Sequence, residues 1–297
     1  MARVKVGFIT LVGMIMLLMS SPALAQGKCE PEILASGTSL RLIYDPLQSQ
    51  GAQLGHQLPV VNSGGSACNL WASATTTTGD FKLRRDGGNE LLSYSLLDVN
   101  ANRELAVTRP ANGKWSIHLG KDETMPLSLS FSVVSADMPR AGIYRQTVTL
   151  TLVDANGDAI RSVDLELILE VTPSALIGLK GDFQRSGSTA RINLGELVPG
   201  TKPLMTTLYV QSSAGYKVTV SSANQGRLRM ANTDWYVSYD LILGNQRMDL
   251  GNGDNIEVYS VRPRFDDYPL GIHIGPTAGR RAGAYSDTLT FTVASVL

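Results

Sequence analysis

The sequence is poor in the residue types that carry most enzyme and metal chemistry. Its 297 residues include two cysteines and three histidines, which leaves little material for a metal centre or a nucleophilic active site. The formal net charge is zero, with 26 Lys and Arg against 26 Asp and Glu, so the chain lacks the basic excess that nucleic-acid binding normally needs. Ordinary Gly and Pro contents of 29 and 13 exclude collagen-like and linker-dominated chains.

No motif in the sequence supplies a catalytic or metal site. His56, His118 and His273 have no metal-ligand spacing and no cluster of Cys or carboxylates beside them. The segment 249–255 (DLGNGDN) superficially resembles a calcium loop, but Ser260 stands where an EF-hand carries its closing acid. Nucleophile-elbow, P-loop and dinucleotide motifs are absent from the sequence. We therefore predict no enzyme activity, no catalytic residue, no metal and no cofactor.

The first residues have the composition of an export signal. Arg3 and Lys5 precede an uncharged run over 6–18, and residues 20–25 read SSPALA. A positive start, a short apolar run and a small-x-small ending predict a secretory signal peptide over residues 1–25, and a membrane anchor is the alternative. The mature chain is then expected to be exported through the periplasm.

After this segment, the sequence has the pattern of β structure throughout. Short alternating runs rich in Val, Leu, Tyr and Thr are separated by clusters of Gly, Asn, Asp and Ser. No capped amphipathic helix is evident, so we predict an all-β sandwich architecture. In an oxidising compartment Cys29 and Cys68 are expected to form a disulfide, with a free thiol as the alternative.

The chain contains an internal repeat. Residues 140–152 (RAGIYRQTVTLTL) match residues 281–293 (RAGAYSDTLTFTV) at an interval of 141, and residues 94–97 (YSLL) match 239–242 (YDLI). In both long segments the apolar residues share one parity and the threonines the other, as in a strand with one buried face. Two copies of one sandwich domain, divided near Thr172, explain both matches and predict domains over 26–172 and 173–297.

The two copies differ after the repeated strand. The first turns through residues 154–158 (DANGD) into another strand, whose apolar residues are Val163, Leu165, Leu167, Leu169 and Val171. The second stops four residues after Val293, so we expect it to lack this strand and to present an apolar groove between unpaired edges. Either another polypeptide donates the strand or residues 173–190 fill the gap. We expect the groove to be lined by two residues on the first strand of the second copy, Ile192 and Leu194, and by four on its final strand, Tyr285, Leu289, Phe291 and Val293.

Each repeat contains Ala-Gly-x-Tyr-x-x-Thr, and the chain also has YDPL at 44–47, NLG at 193–195 and the cysteine pair of the first copy. These short motifs resemble the spore coat U domain family, which includes the pilins of archaic chaperone–usher pili. The resemblance implies immunoglobulin-like sandwiches assembled by donor-strand exchange. A periplasmic pilus chaperone fills the groove, and at the outer-membrane usher the N-terminal donor strand of the next pilin subunit replaces it.

The resemblance also implies a place in the fibre. The expected mature N-terminus is residues 26–29 (QGKC), which the disulfide would hold, so this chain is expected to accept a strand without donating one. That describes a two-domain tip adhesin of the Csu type, at the pilus tip on the cell surface, acting in attachment and biofilm formation. Adhesion is assigned to loops 45–58, 98–109 and 110–115, with Pro46, Leu47, Leu54, Val99, Pro110 and Trp115 as contact residues.

Other functions remain open at this point. A shaft or adaptor pilin would need a free, alternating donor segment at the mature N-terminus, and a spore coat structural protein is a further possibility within the family. A secreted glycan-binding module would be favoured if Trp71, Trp115 or Trp235 were exposed beside polar side chains. A secreted enzyme on a β-sandwich would need two carboxylates within about 5–10 Å in a pocket.

Overall fold

The structure is all-β, as the sequence predicts. The computed structural model describes residues 27–34, 39–48, 51–106, 117–134 and 138–296, and every regular element in these ranges is a β-strand. Among the described residues, none forms a helix long and apolar enough to cross a membrane. The predicted signal peptide over 1–25 lies outside the described residues.

The first twelve strands build a layered unit that we call the N-terminal sandwich. They are β1 (Pro31–Ile33), β2 (Ser39–Tyr44), β3 (Gly51–Asn62), β4 (Cys68–Thr76), β5 (Lys82–Arg85), β6 (Leu91–Ser93), β7 (Ser95–Asp98), β8 (Arg103–Glu104), β9 (Ile117–Leu119), β10 (Thr124–Val134), β11 (Gly142–Val153) and β12 (Ala159–Val171). One sheet has the order β1-β3-β10-β7-β8. The other has the order β2-β12-β11-β4-β9, with β5 pairing β11 and β6.

The remaining strands build the C-terminal sandwich. They are β13 (Ala175–Gly181), β14 (Gln184–Ser186), β15 (Thr189–Arg191), β16 (Gly200–Ser212), β17 (Gly215–Ser222), β18 (Arg227–Met230), β19 (Tyr236–Leu243), β20 (Gln246–Met248), β21 (Asp254–Val258), β22 (Arg264–Ile274), β23 (Tyr285–Ser286) and β24 (Leu289–Val296). Its larger sheet has the order β13-β16-β22-β19-β18-β23, and its smaller sheet the order β21-β17-β24. β14 and β15 form a separate hairpin.

Two three-strand pairing patterns recur in the two sandwiches. β1-β3-β10 in the first corresponds to β13-β16-β22 in the second, and β9-β4-β11 corresponds to β21-β17-β24. The glycine of the repeated motif has a positive φ in both copies, 141° at Gly142 and 159° at Gly283, a region that residues with a Cβ rarely adopt. β12 has no counterpart among the described strands of the C-terminal sandwich.

Each sandwich has its own hydrophobic core. The first is drawn from buried residues between Leu40 and Val171, and the second from buried residues between Leu208 and Ile274. The repeated strand has four apolar residues on its buried face in each copy. In the first copy all four are buried in the core: Tyr144, Val148, Leu150 and Leu152. In the second copy their counterparts pack against the core but are only partly buried: Tyr285, Leu289, Phe291 and Val293. The candidate site lies where the repeated strand of the C-terminal sandwich remains partly exposed.

Candidate functional site

In the N-terminal sandwich the repeated strand is covered on both edges. β11 pairs antiparallel with β12 on one side and with β4 on the other, and β12 continues the sheet by pairing in parallel with β2. Val148, Leu150 and Leu152 on β11 are fully buried, as are Leu165 and Leu167 on β12. The last strand therefore completes the layer over the core.

In the C-terminal sandwich the same strand is a sheet edge. β24 pairs with β17, from Gly215 opposite Val296 to Ser222 opposite Leu289, and no other described strand pairs with it. Leu289, Phe291 and Val293 pack against the second core but remain partly exposed. Unpaired backbone groups beside exposed apolar side chains form a template for another strand. We call this outer side of β24 the open edge.

A second group of apolar residues packs against this core and remains partly exposed. Two lie on β13 and three on the connection between β15 and β16, and we call this group the second wall: Ile177, Leu179, Ile192, Leu194 and Leu197. All six residues predicted from the sequence pack against this core and remain partly exposed, and their role as the lining of one groove stays a prediction. The sequence prediction missed Ile177, Leu179 and Leu197, although alternation in residues 175–179 (ALIGL) was a usable signal.

One detail of the prediction is wrong. Ile192 and Leu194 were expected on the first strand of the second copy, but the first strand is β13, and both residues follow β15 outside any strand. The physical reason is that the C-terminal sandwich has no described strand equivalent to β12. The corresponding strand of the N-terminal sandwich, β2, has β12 as its neighbour in the sheet, so without a β12 counterpart no ladder forms here.

No described strand within residues 173–190 pairs with β24 as β12 pairs with β11. β13 pairs antiparallel with β16, from Ala175 opposite Ser212 to Gly181 opposite Thr206, as β1 pairs with β3 in the first sandwich. β14 pairs only with β15 among the described strands. The segment touches β24 near its end, where Ser295 Oγ donates to the Pro173 carbonyl at 3.1 Å, and it forms no described strand pair with β24.

A partly buried carboxylate holds the start of β24 in place. Between β23 and β24 the chain crosses from the larger to the smaller sheet, and the Asp287 carboxylate accepts hydrogen bonds from four groups: Ser222 Oγ at 2.5 Å, the Tyr239 hydroxyl at 2.6 Å, Thr288 N at 2.8 Å and Asn224 N at 3.0 Å. Burial, and then the bond to Asp287, raises the pKa of the Tyr239 hydroxyl. Tyr239 is therefore a neutral donor that holds this crossing in place.

A second polar cluster links the two sheets of the C-terminal sandwich. The hydroxyl of Tyr216 on β17 donates to Asp266 on β22 at 2.7 Å and lies 2.5 Å from the Tyr268 hydroxyl. Arg264 donates to the same carboxylate oxygen of Asp266 at 2.7 Å and lowers the pKa of Asp266, despite its partial burial. Burial raises the pKa of Tyr216, which is fully enclosed. The cluster therefore serves packing of the two sheets.

The predicted contact loops of the N-terminal sandwich are placed only in part. Pro46 and Leu47 lie in the turn after β2 and are half-buried, and Val99, in the turn after β7, is 52% exposed. Pro110 and Trp115 lie outside the described residues. The prediction that Leu54 lies on a contact loop is wrong, because Leu54 lies within β3 opposite Phe131 of β10 and packs against the first core.

The tryptophan and histidine side chains bear on the alternatives of glycan binding and metal binding. Trp71 is buried in the first sandwich, Trp235 is 39% exposed, and Trp115 lies outside the described ranges. His118 Nδ1 lies 2.8 Å from Asn69 Oδ1, and His273 Nδ1 lies 2.8 Å from Thr201 Oγ1. No group of three His, Cys, Asp or Glu residues in the described part of the chain could hold a metal ion.

The segment from Gly27 to Ile33 belongs to the N-terminal sandwich. The structure contains the Cys29–Cys68 disulfide, with 5.3 Å between the Cα atoms, and β1 pairs with β3 from Pro31 opposite Asn62. The Asn62 side chain also accepts a hydrogen bond from Glu30 N at 3.2 Å. This segment is thus held in a sheet of its own sandwich.

A chain in a solved complex of pilus proteins shares this fold. A chain of the CsuC–CsuE chaperone–tip adhesion subunit pre-assembly complex, from archaic chaperone-usher Csu pili of Acinetobacter baumannii, matches 86% of this chain and 97% of its own length, with a TM-score of 0.50 and 14% identity. The CooA pilin subunit from enterotoxigenic Escherichia coli matches 48% of this chain and 98% of its own length, with a TM-score of 0.33 and 14% identity.

A chain from a chaperone–tip adhesin complex of CFA/I fimbriae biogenesis matches 87% of this chain and 95% of its own length, with a TM-score of 0.30 and 11% identity. No protein-family model and no curated protein match the sequence, so membership of the spore coat U domain family stays a prediction. At 14% identity, the Csu likeness shows a shared immunoglobulin-like fold.

Proposed function

We propose that this chain is the tip subunit, an adhesin, of a secreted chaperone–usher pilus and acts in surface attachment and biofilm formation. The two sandwiches are separate domains, residues 26–172 and 173–297, behind a signal peptide over 1–25. The C-terminal domain accepts a donor strand at the open edge, and the N-terminal domain contacts the surface. Structural similarity to pilus subunits and tip adhesins of chaperone–usher systems supports this assignment.

One observation carries the proposal. Leu150 on β11 and Phe291 on β24 occupy the same place in the repeat, yet Leu150 is fully buried under β12 and Phe291 is partly exposed at an unpaired edge. Burying one such side chain is worth about 1.5–3 kcal/mol, and a domain is stable by only about 5–15 kcal/mol. A strand that covered several of these residues would therefore contribute much of the stability of the C-terminal domain.

The N-terminal segment supports the position at the tip. A shaft subunit must offer a strand to its neighbour, whereas Gly27 to Ile33 are held by the Cys29–Cys68 disulfide and by the pairing of β1 with β3. In this proposal the chain accepts a strand and gives none. Its partners are a periplasmic pilus chaperone, the outer-membrane usher and the N-terminal donor strand of the next pilin subunit.

The adhesive surface is proposed on the loops of the N-terminal domain. Val99 is the most exposed of the described candidates, and Pro46 and Leu47 lie in a turn at half burial. Exposed apolar loop residues are typical of contact surfaces. Pro110 and Trp115 remain candidates on the same grounds as in the sequence, and Leu54 is withdrawn because it is part of β3.

Co-expression with the pilus chaperone of the source organism tests the proposal. Phe291→Asp places a charge at the open edge, whereas Thr292→Asp places the same charge on the exposed face of the same strand. We expect the chaperone to co-purify with the unaltered chain and with Thr292→Asp, and to be lost with Phe291→Asp. Accumulation of the unaltered chain in the periplasm without any bound chaperone would contradict the proposal.

A further inference from the structure

The covering strand of the N-terminal sandwich is acidic on its outer face. Three carboxylates of β12 bond to neighbouring strands: Asp164 accepts from Thr149 Oγ1 at 2.7 Å, Glu166 from Arg145 Nη1 at 2.8 Å, and Glu170 from Arg41 Nε at 3.1 Å and Nη2 at 2.5 Å. β12 thus has apolar side chains that face the core and acidic side chains that bond to β11 and β2. Arg41 on β2 pairs with Glu170, the acid nearest the end of β12.

The C-terminal sandwich contains a counterpart of Arg41. An interval of 150 residues relates Leu58 and Val60 on β3 to Leu208 and Val210 on β16, all buried. The same interval relates two core residues of β2 to two residues of the second wall, Leu42 to Ile192 and Tyr44 to Leu194. Arg41 therefore corresponds to Arg191, which is exposed as Arg41 is.

Arg191 has no ion pair in the described part of the chain. Arg281 also has none, although its counterpart in the repeat, Arg140, is paired with Glu90 at 2.9 Å. Lys202 Nζ bonds to the backbone carbonyl of Leu194 at 3.1 Å and to no described carboxylate. Of these three cations, Arg191 and Arg281 have counterparts in the complete sandwich that are paired with carboxylates, Arg41 with Glu170 and Arg140 with Glu90.

The neighbouring acid does not cancel this charge. Glu196 corresponds, at the interval of 150, to Pro46, which lies beyond the last residue of β2. A strand placed as β12 is placed ends opposite Tyr44, where Val171 ends its parallel pairing with β2. Glu196 is therefore past the positions that such a strand would cover.

We infer that the occupant of the open edge is an acidic donor strand, with an outward carboxylate that pairs with Arg191 as Glu170 pairs with Arg41. This inference rests on the proposed function and specifies its partner. The strand is apolar at the alternate positions that face Leu289 and Phe291, and it carries acids between them. Arg191 is the residue that selects the strand by charge.

The expected effect is on selectivity more than on raw affinity. In the intact copy, the side chains of Arg41 and Glu170 are 57% and 34% exposed, and ion pairs this exposed contribute little to stability. Charges at the rim of an interface mainly set association rates and exclude partners of the wrong charge. Reversing Arg191 replaces attraction by repulsion, so we expect binding of an acidic strand to weaken about fivefold to tenfold.

Peptide binding to the full chain tests this inference. The probe is a synthetic peptide of residues 159–171 (AIRSVDLELILEV), used beside a second peptide with Glu170→Lys. Arg191→Glu is compared with Arg185→Glu, a matched change on the other strand of the β14–β15 hairpin. We expect Arg191→Glu to weaken binding of the acidic peptide and to strengthen binding of the Glu170→Lys peptide. Arg185→Glu should change the binding of each peptide in the same direction as Arg191→Glu, but by less.

The possible results distinguish the acidic-strand inference from strand acceptance itself. Binding of both peptides to the unaltered chain with no change on Arg191→Glu would overturn the acidic-strand inference and leave strand acceptance standing. Equal effects of Arg191→Glu and Arg185→Glu would assign the effect to general charge and also overturn it. If neither peptide binds any form of the chain, strand acceptance fails, and the inference fails with it.

Discussion

The hydroxyl of Tyr285 donates a 2.7 Å hydrogen bond to the backbone carbonyl of Arg281. The same bond joins the Tyr144 hydroxyl to the Arg140 carbonyl at 2.9 Å in the first sandwich. Both copies therefore enter the repeated strand through the same corner. What differs is the strand that follows, since β12 covers β11 and no described strand covers β24. The corner is common to both copies, and the open edge beside it distinguishes the second copy from the first.

Removing the corner hydroxyls is expected to destabilise both sandwiches modestly. Tyr144→Phe should lower the free energy of unfolding by about 1 kcal/mol, because a buried hydrogen bond contributes about 0.5–1.5 kcal/mol. Tyr285→Phe should cost less, since the residue is partly exposed and water can replace the bond. Urea denaturation of the two variants measures both values. A larger loss for Tyr285→Phe would contradict this order.

Core truncation should reveal the missing layer. Leu150→Ala in the covered strand is expected to cost about 2–5 kcal/mol, whereas Phe291→Ala at the open edge should cost less in the unoccupied chain. When a donor strand is bound, the cost of Phe291→Ala should rise toward about 3–5 kcal/mol, the range for a buried Phe. Denaturation of both variants, with and without a donor peptide, makes the comparison. An unchanged Phe291→Ala value would show that no strand covers this residue.

The disulfide should be a major stabiliser of the N-terminal sandwich. Cys29 and Cys68 are 39 residues apart, and closing a loop of this size removes about 4 kcal/mol of unfolded-state entropy in the chain-entropy model. The double variant Cys29→Ser and Cys68→Ser should therefore unfold at a lower urea concentration. Thiol titration of the unfolded, unreduced protein should find no free cysteine. One reactive thiol per cysteine would contradict the pairing.

Acid should weaken the link between the sheets of the C-terminal sandwich. Arg264, aided by the Tyr216 hydroxyl, holds the pKa of Asp266 below its usual value, which is about 3.9 in unfolded chains. Because the unfolded state takes up the proton first, this contribution is complete above the unfolded pKa and is lost as the pH falls through the folded pKa. Asp266→Asn should therefore flatten the decline of stability below about pH 4. An identical decline in the variant would disprove this role.

Much of the architecture was predictable because it is written in local patterns. The alternation in residues 163–171 predicts β12, and the repeat of residues 140–152 at 281–293 predicts β11 and the pair β23 and β24. These segments have one apolar face, so the strand period is visible without knowledge of their partners. The all-β class followed from the same signals.

The errors arose where partners decide the structure. Residues 51–58 (GAQLGHQL) are polar and contain glycine, so Leu54 was assigned to a loop. Pairing with β10 along the segment, with Leu54 opposite Phe131, makes it a strand. Conversely, Ile192 and Leu194 alternate as in a strand but have no neighbour to pair with, so no ladder forms. Non-local pairing overrides local preference in both cases.

Thermal unfolding of the full chain with a covalent donor tests strand acceptance most directly. Residues 159–171 are fused after Leu297 through a short Gly-rich turn, which copies the β11–β12 hairpin, and a control fusion carries the same residues scrambled to destroy the alternation. Covering the open edge should raise the melting temperature of the C-terminal sandwich by about 20 °C or more, since each kcal/mol shifts a domain of this size by about 4 °C. The scrambled fusion should melt as the unfused chain does. Equal melting of all three proteins would show that the open edge accepts no strand and would contradict the proposed function.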